Sequence, residues 1–394
     1  MTMLRKGKPD QAGMRPEQIE LIKRRGAEWV EQDNTLALVV LAARHGVVCL
    51  HEAWGPLTGE PDAPPAQPDS CFPWSSIGKV VTATAAMKLV ESGELGLTRP
   101  VQFYIPEISG AGSEEVLVQQ LLTHTSGYDD DEDTAWIAAR MAEGLELPEC
   151  PATQHEAVHA QLHARYTLPV AKRPGTVMSY ANINYDLLGE IMRRISGMSH
   201  ADFLAEHIFQ PLNMTGARVG FDPAIEPNLV CNFDVQFNPN LPTGDALRAL
   251  ASIPSASGGV FGTIEDCAAF AQMLLNGGTY GDATILQPAT VAQMTRNQIP
   301  GIGTDFIGHE HDEACWGYGL SIFDTERWRW FDGALPANGA FGHSGLGGVM
   351  FWVDPTYDLI GLYFSHCLDV DPETGEHHWD ADLYQNMVTA AVAD

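Results

Sequence analysis

The sequence predicts a mixed α/β protein of the α+β type, an antiparallel sheet flanked by helices with a helical domain alongside. Three observations lead there. Strand-like apolar runs cluster towards the two ends of the chain, helical periodicity fills the middle, and 394 residues suffice for a large core or for two domains.

Taken in order, residues 15–32 read as an amphipathic helix. "TLALVVLAARHGVVCLHEAWG" follows as a hairpin, two β-branched runs around the turn His45-Gly46. The Pro-rich "GPLTGEPDAPPAQPDS" is a loop. From Ser75 the pattern turns helical, with Val80, Ala83, Met87 and Val90 spaced by three and four, and Gly93 ends the helix. Further helices are predicted at 114–123, 134–143, 154–164, 184–196, 200–208, 264–276 and 287–296. Strand character returns at 316–323, 340–355 and 358–366, and "DADLYQNMVTAAVA" reads as a closing helix. Strands at both ends imply one sheet built from the two termini. The division follows as a discontinuous sheet domain at 1–72 and 285–394 and a mainly helical domain at 73–284.

The formal charge of −29, from 51 acidic against 22 basic residues, disfavours nucleic acid and anionic membranes as partners. Its plain reading is solubility; the densest acidic run is "YDDDED" at 128–133. No window has the roughly 18 uninterrupted apolar residues of a membrane span. The opening "MTMLRKGKPDQAGM" has charge but no apolar core of a signal peptide, so a cytoplasmic address is expected. Seven scattered cysteines (49, 71, 150, 231, 267, 315, 367) without a C-x-x-C fit reduced thiols.

The stretch "FPWSSIGKVVTATAAMKLV" at 72–90 carries two possible chemistries. A phosphate loop, G-x-x-x-x-G-K-[ST], fails twice, because its first glycine is Pro73 and its metal-binding hydroxyl is Val80. The other reading is Ser76-x-x-Lys79, a hydroxyl and an amine one helical turn apart at a helix N-terminus, where free amides favour developing negative charge. A hydroxyl attacks only once something takes its proton, and Lys79 is placed to do so. Ser75 also offers a hydroxyl, but four residues from Lys79. Singly, S-x-x-K also arises on solvated helices.

Its company decides. Tyr180-Ala181-Asn182 opens a predicted helix, and His343-Ser344-Gly345 sits in a late strand. Ser-x-x-Lys, Tyr-x-Asn and a [KH]-[ST]-Gly triplet in that order resemble the serine β-lactamase and penicillin-binding-protein superfamily. The chain is most similar to its class C β-lactamase-like branch, which includes family VIII carboxylesterases. "LLTHTSGY" at 121–128, "IFQPLNMTGAR" at 208–218, "SGGVFGTIEDCAAFAQMLLNGG" at 257–278 and "GHSGLGGVMFWVDP" at 342–355 extend the resemblance over roughly residues 15 to 390.

The resemblance implies a β-lactamase-like fold with the site where sheet and helical domain meet. It implies Ser76 as the acylated nucleophile and Lys79 and Tyr180 sharing the proton work, Tyr180 as phenolate or relay. Backbone amides of Ser76 and Leu346 would form the oxyanion hole, and Asn182 would orient the substrate or Lys79. A nearby ammonium is expected to favour ionisation of Tyr180. Penicillin-recognising members carry lysine where this chain has His343, which is neutral at pH 7 unless its pKa is raised. That loss of fixed charge favours neutral esters over anionic lactams or peptide C-termini. The triplet His343, Ser344 and Gly345, with Tyr128 and the acidic tract after it, is expected to border the substrate. Trp316 and Tyr318 are further candidates there, although aromatic strand residues are more often core.

Competing motifs are read as follows. His155-Glu156-Ala157-Val158-His159 is a literal H-E-x-x-H, but no third ligand follows and His163 lies about 12 Å along the axis from His155. It is taken as a solvated helix, and no metal or cofactor is expected. Gly342-His343-Ser344-Gly345-Leu346 imitates a hydrolase elbow, yet Leu346 ends it and the chain runs on into a strand. "HEHDEAC" and "HHWD" are taken as solvated loops, and His124 as a capping or satisfied buried histidine. The reading is a serine hydrolase acting on small carboxylic esters through an acyl-enzyme, with acyl transfer to alcohols a possible extension. The alternatives are a β-lactamase or D-amino-acid amidase or peptidase of the same fold and, from another class, a catalytically silent binding module.

Overall fold

The computed structural model describes residues 2–32, 35–60, 62–231, 233–234, 241–306, 309–323, 332–366 and 379–393. His377 and His378 of the "HHWD" stretch lie outside them.

Apart from two short strand pairs within 279–284 and 304–311, the described strands in chain order are β1 (Arg5–Lys6), β2 (Leu38–Arg44), β3 (Val47–Trp54), β4 (Cys71–Pro73), β5 (Arg218–Val219), β6 (Val260–Thr263), β7 (Ser321–Ile322), β8 (Phe341–Gly345), β9 (Val349–Asp354) and β10 (Leu359–Ser365). Seven of them form one sheet in the order β1-β3-β2-β10-β9-β8-β7. All neighbours are antiparallel except β1 and β3. The two chain ends meet at β2 and β10, where Leu41 pairs with Leu362. The β2–β3 hairpin turns at His45-Gly46, both residues at positive φ (54° and 71°), the conformation that matches the twist of the strands.

Helices cover both faces, which is why β2 and β10 read as unbroken apolar runs. Alternate residues Leu38, Val40, Met350, Trp352, Leu359 and Tyr363 meet α1 (Pro16–Glu31) through Ile19, Ile22 and Trp29, and the closing helix Ala381–Ala390 through Tyr384. The opposite set, Val39, Leu41, Phe351, Val353, Ile360 and Leu362, joins the main core with Phe270 of the helix Ile264–Leu275. Gly361 is required by this packing, since a Cβ there would lie 2.1 Å from the Trp352 ring.

Next in the chain is α2 (Ile77–Glu91), buried on nearly every side from Ile77 to Met87, as a core helix must be. It packs on β8 and on α5, given below. Three helices of the inserted region bear on the site, α3 (Asp130–Ala142), α4 (Glu156–Arg165) and α5 (Asn182–Ser196). α3 begins four residues before the predicted 134 because Asp129 caps it, accepting from the amides of Asp131 and Glu132. The run 114–123 is split into a turn at Ser113–Glu115 and a helix at Val118–Leu122. Of the predicted strand 316–323 only Ser321–Ile322 pairs as a strand, with Trp316 in an isolated bridge. A three-stranded sheet of β4, β6 and β5, and a helix at Asp245–Ala251, were not foreseen.

Candidate active site

β4 runs into the site. Its partner β6 holds it through the Trp74 amide, which donates to Val260 O at 2.8 Å. The chain then reverses at Ser75, whose φ of 47° lies in the left-handed region that costs a non-glycine residue energy. Ser76 follows as the N-cap of α2, at the positive end of the helix.

Lys79 is fully buried one turn on. Its Nζ donates to Ser76 Oγ at 3.0 Å, Asn182 Oδ1 at 2.7 Å and Ser257 O at 2.7 Å, so three acceptors match its three protons. Burial lowers its pKa to about 8, against the opposing pull of Asp130 and Asp186. An amine so placed gives up its proton close to neutral pH.

Tyr180 reaches the same hydroxyl, since its side chain hydrogen-bonds Ser76, and its ring centroid lies 4.9 Å from Lys79 Nζ. His124 stacks on that ring at 4.3 Å and 27°. His124 also brackets the segment, accepting from Ser179 N through its carbonyl (2.8 Å) and from Ala181 N through Nδ1 (3.2 Å). It is buried as expected, yet only Nδ1 is satisfied, Nε2 having no hydrogen-bond partner among the described residues. Burial pushes the Tyr180 phenol up, and Asp130 adds to the shift. The expectation that the neighbouring ammonium would favour its ionised form is not met, because burial outweighs the hydrogen bond with Ser76, which pulls the other way.

The turns that carry the two amides assigned to an oxyanion hole are tied together. Ser75 Oγ donates to Leu346 O at 2.8 Å, tying the turn before Ser76 to the turn after β8. Gly345 permits that approach, for a Cβ there would sit 2.5 Å from Trp74 O. Neither the Ser76 nor the Leu346 amide donates to any described residue, which leaves both free for a ligand oxygen.

His343 lies on β8 between Tyr180 and Trp316, with ring centroids 6.1 and 5.5 Å away. Its Nδ1 bonds Ser344 O at 2.6 Å, and its Nε2 is buried without a hydrogen-bond partner among the described residues. Burial, with Lys79 nearby, lowers its pKa to about 3, so the imidazole is neutral. Ser344 is half-buried and lines a shallow cleft with His343, Trp316, Phe323 and Asp332.

Not every expectation about this site holds. Tyr128 is only 2 % exposed and hydrogen-bonds Ser113, so it belongs to the core and does not border the entrance. The aromatic body there is worth more buried than exposed. Trp316 is fully buried as well, although its ring forms part of the wall around Tyr180. Asn182 faces Lys79 and Asp130, with its amide N–H groups taken by Asp130. Asp130 is the residue that sequence reading missed; an acidic tract carries no signal of which member turns inwards. Arg165, buried on α4, pairs with Asp133 and Asp186 and joins α3 to α5 behind the site.

The H-E-x-x-H segment is not assembled as a ligand set. His155 caps α4 through Nδ1, and both ring nitrogens of buried His159 face oxygens, Gln154 Oε1 and Pro148 O. Among the described residues no three His, Cys, Asp or Glu side chains group as metal ligands. Ser344 stands in a paired strand, which excludes the strand-to-helix elbow.

Known proteins share this architecture. Protein Rv1367c of Mycobacterium tuberculosis is 28 % identical over 346 residues, covering 78 % of this chain and 80 % of that one. Esterase EstB of Burkholderia gladioli is 26 % identical over 352 residues, covering 80 % and 83 %. The crystal structure of a family VIII carboxylesterase superposes with a TM-score of 0.73 at 21 % identity, over 95 % of this chain and 96 % of that one. The Beta-lactamase family profile matches residues 20–385, so a chain whose Ser-x-x-Lys and Tyr-x-Asn motifs close on one hydroxyl belongs to the Beta-lactamase family.

Proposed function

We propose that the protein is a serine hydrolase of small, neutral carboxylic esters, working through an acyl-enzyme on Ser76. The observation that carries this is the convergence of Lys79 Nζ and the Tyr180 phenol on Ser76 Oγ, beside two unpaired amides.

The chemistry follows from the charges. Unprotonated Lys79 takes the Ser76 proton as Oγ bonds to the ester carbonyl carbon. The oxyanion settles on the Ser76 and Leu346 amides, each worth about 2.7–4 kcal/mol. As the carbon–alkoxide bond breaks, protonated Tyr180 supplies the proton that the departing alcohol needs, and the Lys79 ammonium restores it. Water then attacks the acyl-Ser76 carbonyl, its proton returns through the same pair, and Ser76 leaves with a proton as the carboxylic acid is released. An alcohol in place of that water gives acyl transfer.

Substrate class follows from His343. A buried neutral imidazole offers no fixed charge to a carboxylate, and the Lys79 charge is already met by three acceptors. The similarity to esterase EstB supports the same choice. Cys49, Cys71, Cys150, Cys231 and Cys267 stand in no disulfide, which supports a reducing, cytoplasmic setting.

Ser76→Ala tests the reading. It is expected to abolish hydrolysis of p-nitrophenyl acetate and butyrate, and labelling by a fluorophosphonate, with an unchanged circular dichroism spectrum. Retained turnover moves the nucleophile elsewhere, and a wild-type protein that neither labels nor turns over is a silent binding module. A chromogenic cephalosporin outpacing the esters would favour the lactamase alternative.

A further inference from the structure

We propose that Asp130 is a positioning residue of this site, holding Asn182 in the one orientation that presents Oδ1 to Lys79 and placing a balancing charge behind that amine. The proposal rests on the reading of Lys79 as the proton acceptor for Ser76.

The five acids at 129–133 look alike in sequence, and the structure gives them different work. Asp129 caps α3. Asp131 and Glu132 are exposed. Asp133 is held by Arg165. Asp130 alone turns onto Asn182, accepting its backbone N–H at Oδ1 (2.7 Å) and its side-chain Nδ2 at Oδ2 (2.8 Å).

That fork has a polarity. A carboxylate only accepts and an ammonium only donates, so an amide between them has one compatible setting, NH2 towards Asp130 and oxygen towards Lys79. Hydrogen bonds chained this way polarise one another, and the Asp130 charge is felt at Lys79 through Asn182. A neutral amide at 130 would put two donors face to face and turn Asn182 over, aiming its NH2 at the Lys79 ammonium.

The charge matters independently of the fork. The groups around Lys79 are Asp130 from α3, Asp186 from α5, Tyr180 and His124 from the connecting segments, and His343 from β8. Tyr180 and both histidines are neutral, and Arg165 is matched by Asp133 and Asp186. Asp130 is thus the main charge opposing the desolvation of Lys79. Removing it lowers the pH at which Lys79 loses its proton, since an ammonium without its partner is easier to discharge.

Asp130→Asn, Asp130→Glu and the control Asp131→Asn, in the full chain, test this with p-nitrophenyl butyrate from pH 5 to 10. For Asp130→Asn the rising acid limb of kcat is expected to move down by about one pH unit. Its plateau is expected to fall by about 10–100-fold with KM nearly constant, as for a general-base site left misaligned. Asp130→Glu keeps the charge but misplaces the fork, so the limb stays and only the plateau falls. Asp131→Asn matches the wild type. If Asp130→Asn does not fold, Asp130→Ser carries the same readout, serine being well accepted at a helix start. An unmoved limb in the charge-removing variant, or an equal shift in Asp130→Glu, overturns the proposal. Absence of fluorophosphonate labelling at Ser76 in the wild type overturns instead the underlying reading of the site.

Discussion

The site has two unlike walls. Around Lys79 the neighbours are polar and directional, with Asn182, Ser257 and Asp130 fixing where each proton points. Around Tyr180 they are flat rings, His124, Trp316 and His343, which supply shape and exclude water. The two walls push their titratable groups differently. Burial pulls the Lys79 amine down to about 8 while acids hold it from falling further, whereas nothing near Tyr180 offsets its desolvation enough to ionise it. The difference teaches which partner accepts and which donates. In a site with one hydroxyl between an amine and a phenol, the group whose pKa moves towards neutral pH is the base.

The comparison breaks most visibly at Lys79. Lys79→Met is expected to lower kcat/KM for p-nitrophenyl butyrate by about 10³–10⁴-fold, the upper range for a lost general base. Steady-state kinetics beside a thermal melt separate that loss from unfolding. Tyr180→Phe keeps the ring on His124 and removes only the donor, so a smaller fall of about 10²-fold is expected with an almost unchanged melting temperature. Equal losses in the two variants would mean that the walls share one proton role.

The smallest effect concerns stability. His124, His200, His343 and His366 are buried with lowered pKa values, to about 4 for His200 and His366 and about 3 for His343. Below the unfolded value of 6.5 the unfolded chain binds protons that the folded one refuses. Stability is therefore retained above about pH 6.5 and lost as pH falls from there towards 4, by about 1.4 kcal/mol per pH unit for each such histidine. Denaturant melts at pH 7.5, 6 and 5 measure it, and a flat profile would show that these rings take up protons without unfolding.

Much of the frame was legible. His45-Gly46 between β-branched runs announced the hairpin, and the spacing of Val80, Ala83 and Met87 announced α2. β4, β5 and β6 were not, because strands of two to four residues carry too few alternations to register. The motifs named Ser76, Lys79 and Tyr180, and the structure brings these three together. Tyr128 was misplaced because a tyrosine beside five acids reads as surface, yet the chain turns its ring into the core before α3 begins.

By itself the sequence determined the local grammar of this protein: which segments turn, which coil, and which hydroxyl stands one turn from an amine. Those depend on neighbours a few residues away. Only the tertiary structure decided that Tyr180 stays protonated, that His343 is kept neutral by burial, and that Asp130 among five acids faces Asn182. Each of these depends on how completely distant segments strip water from a group, and desolvation is a property of the packed whole.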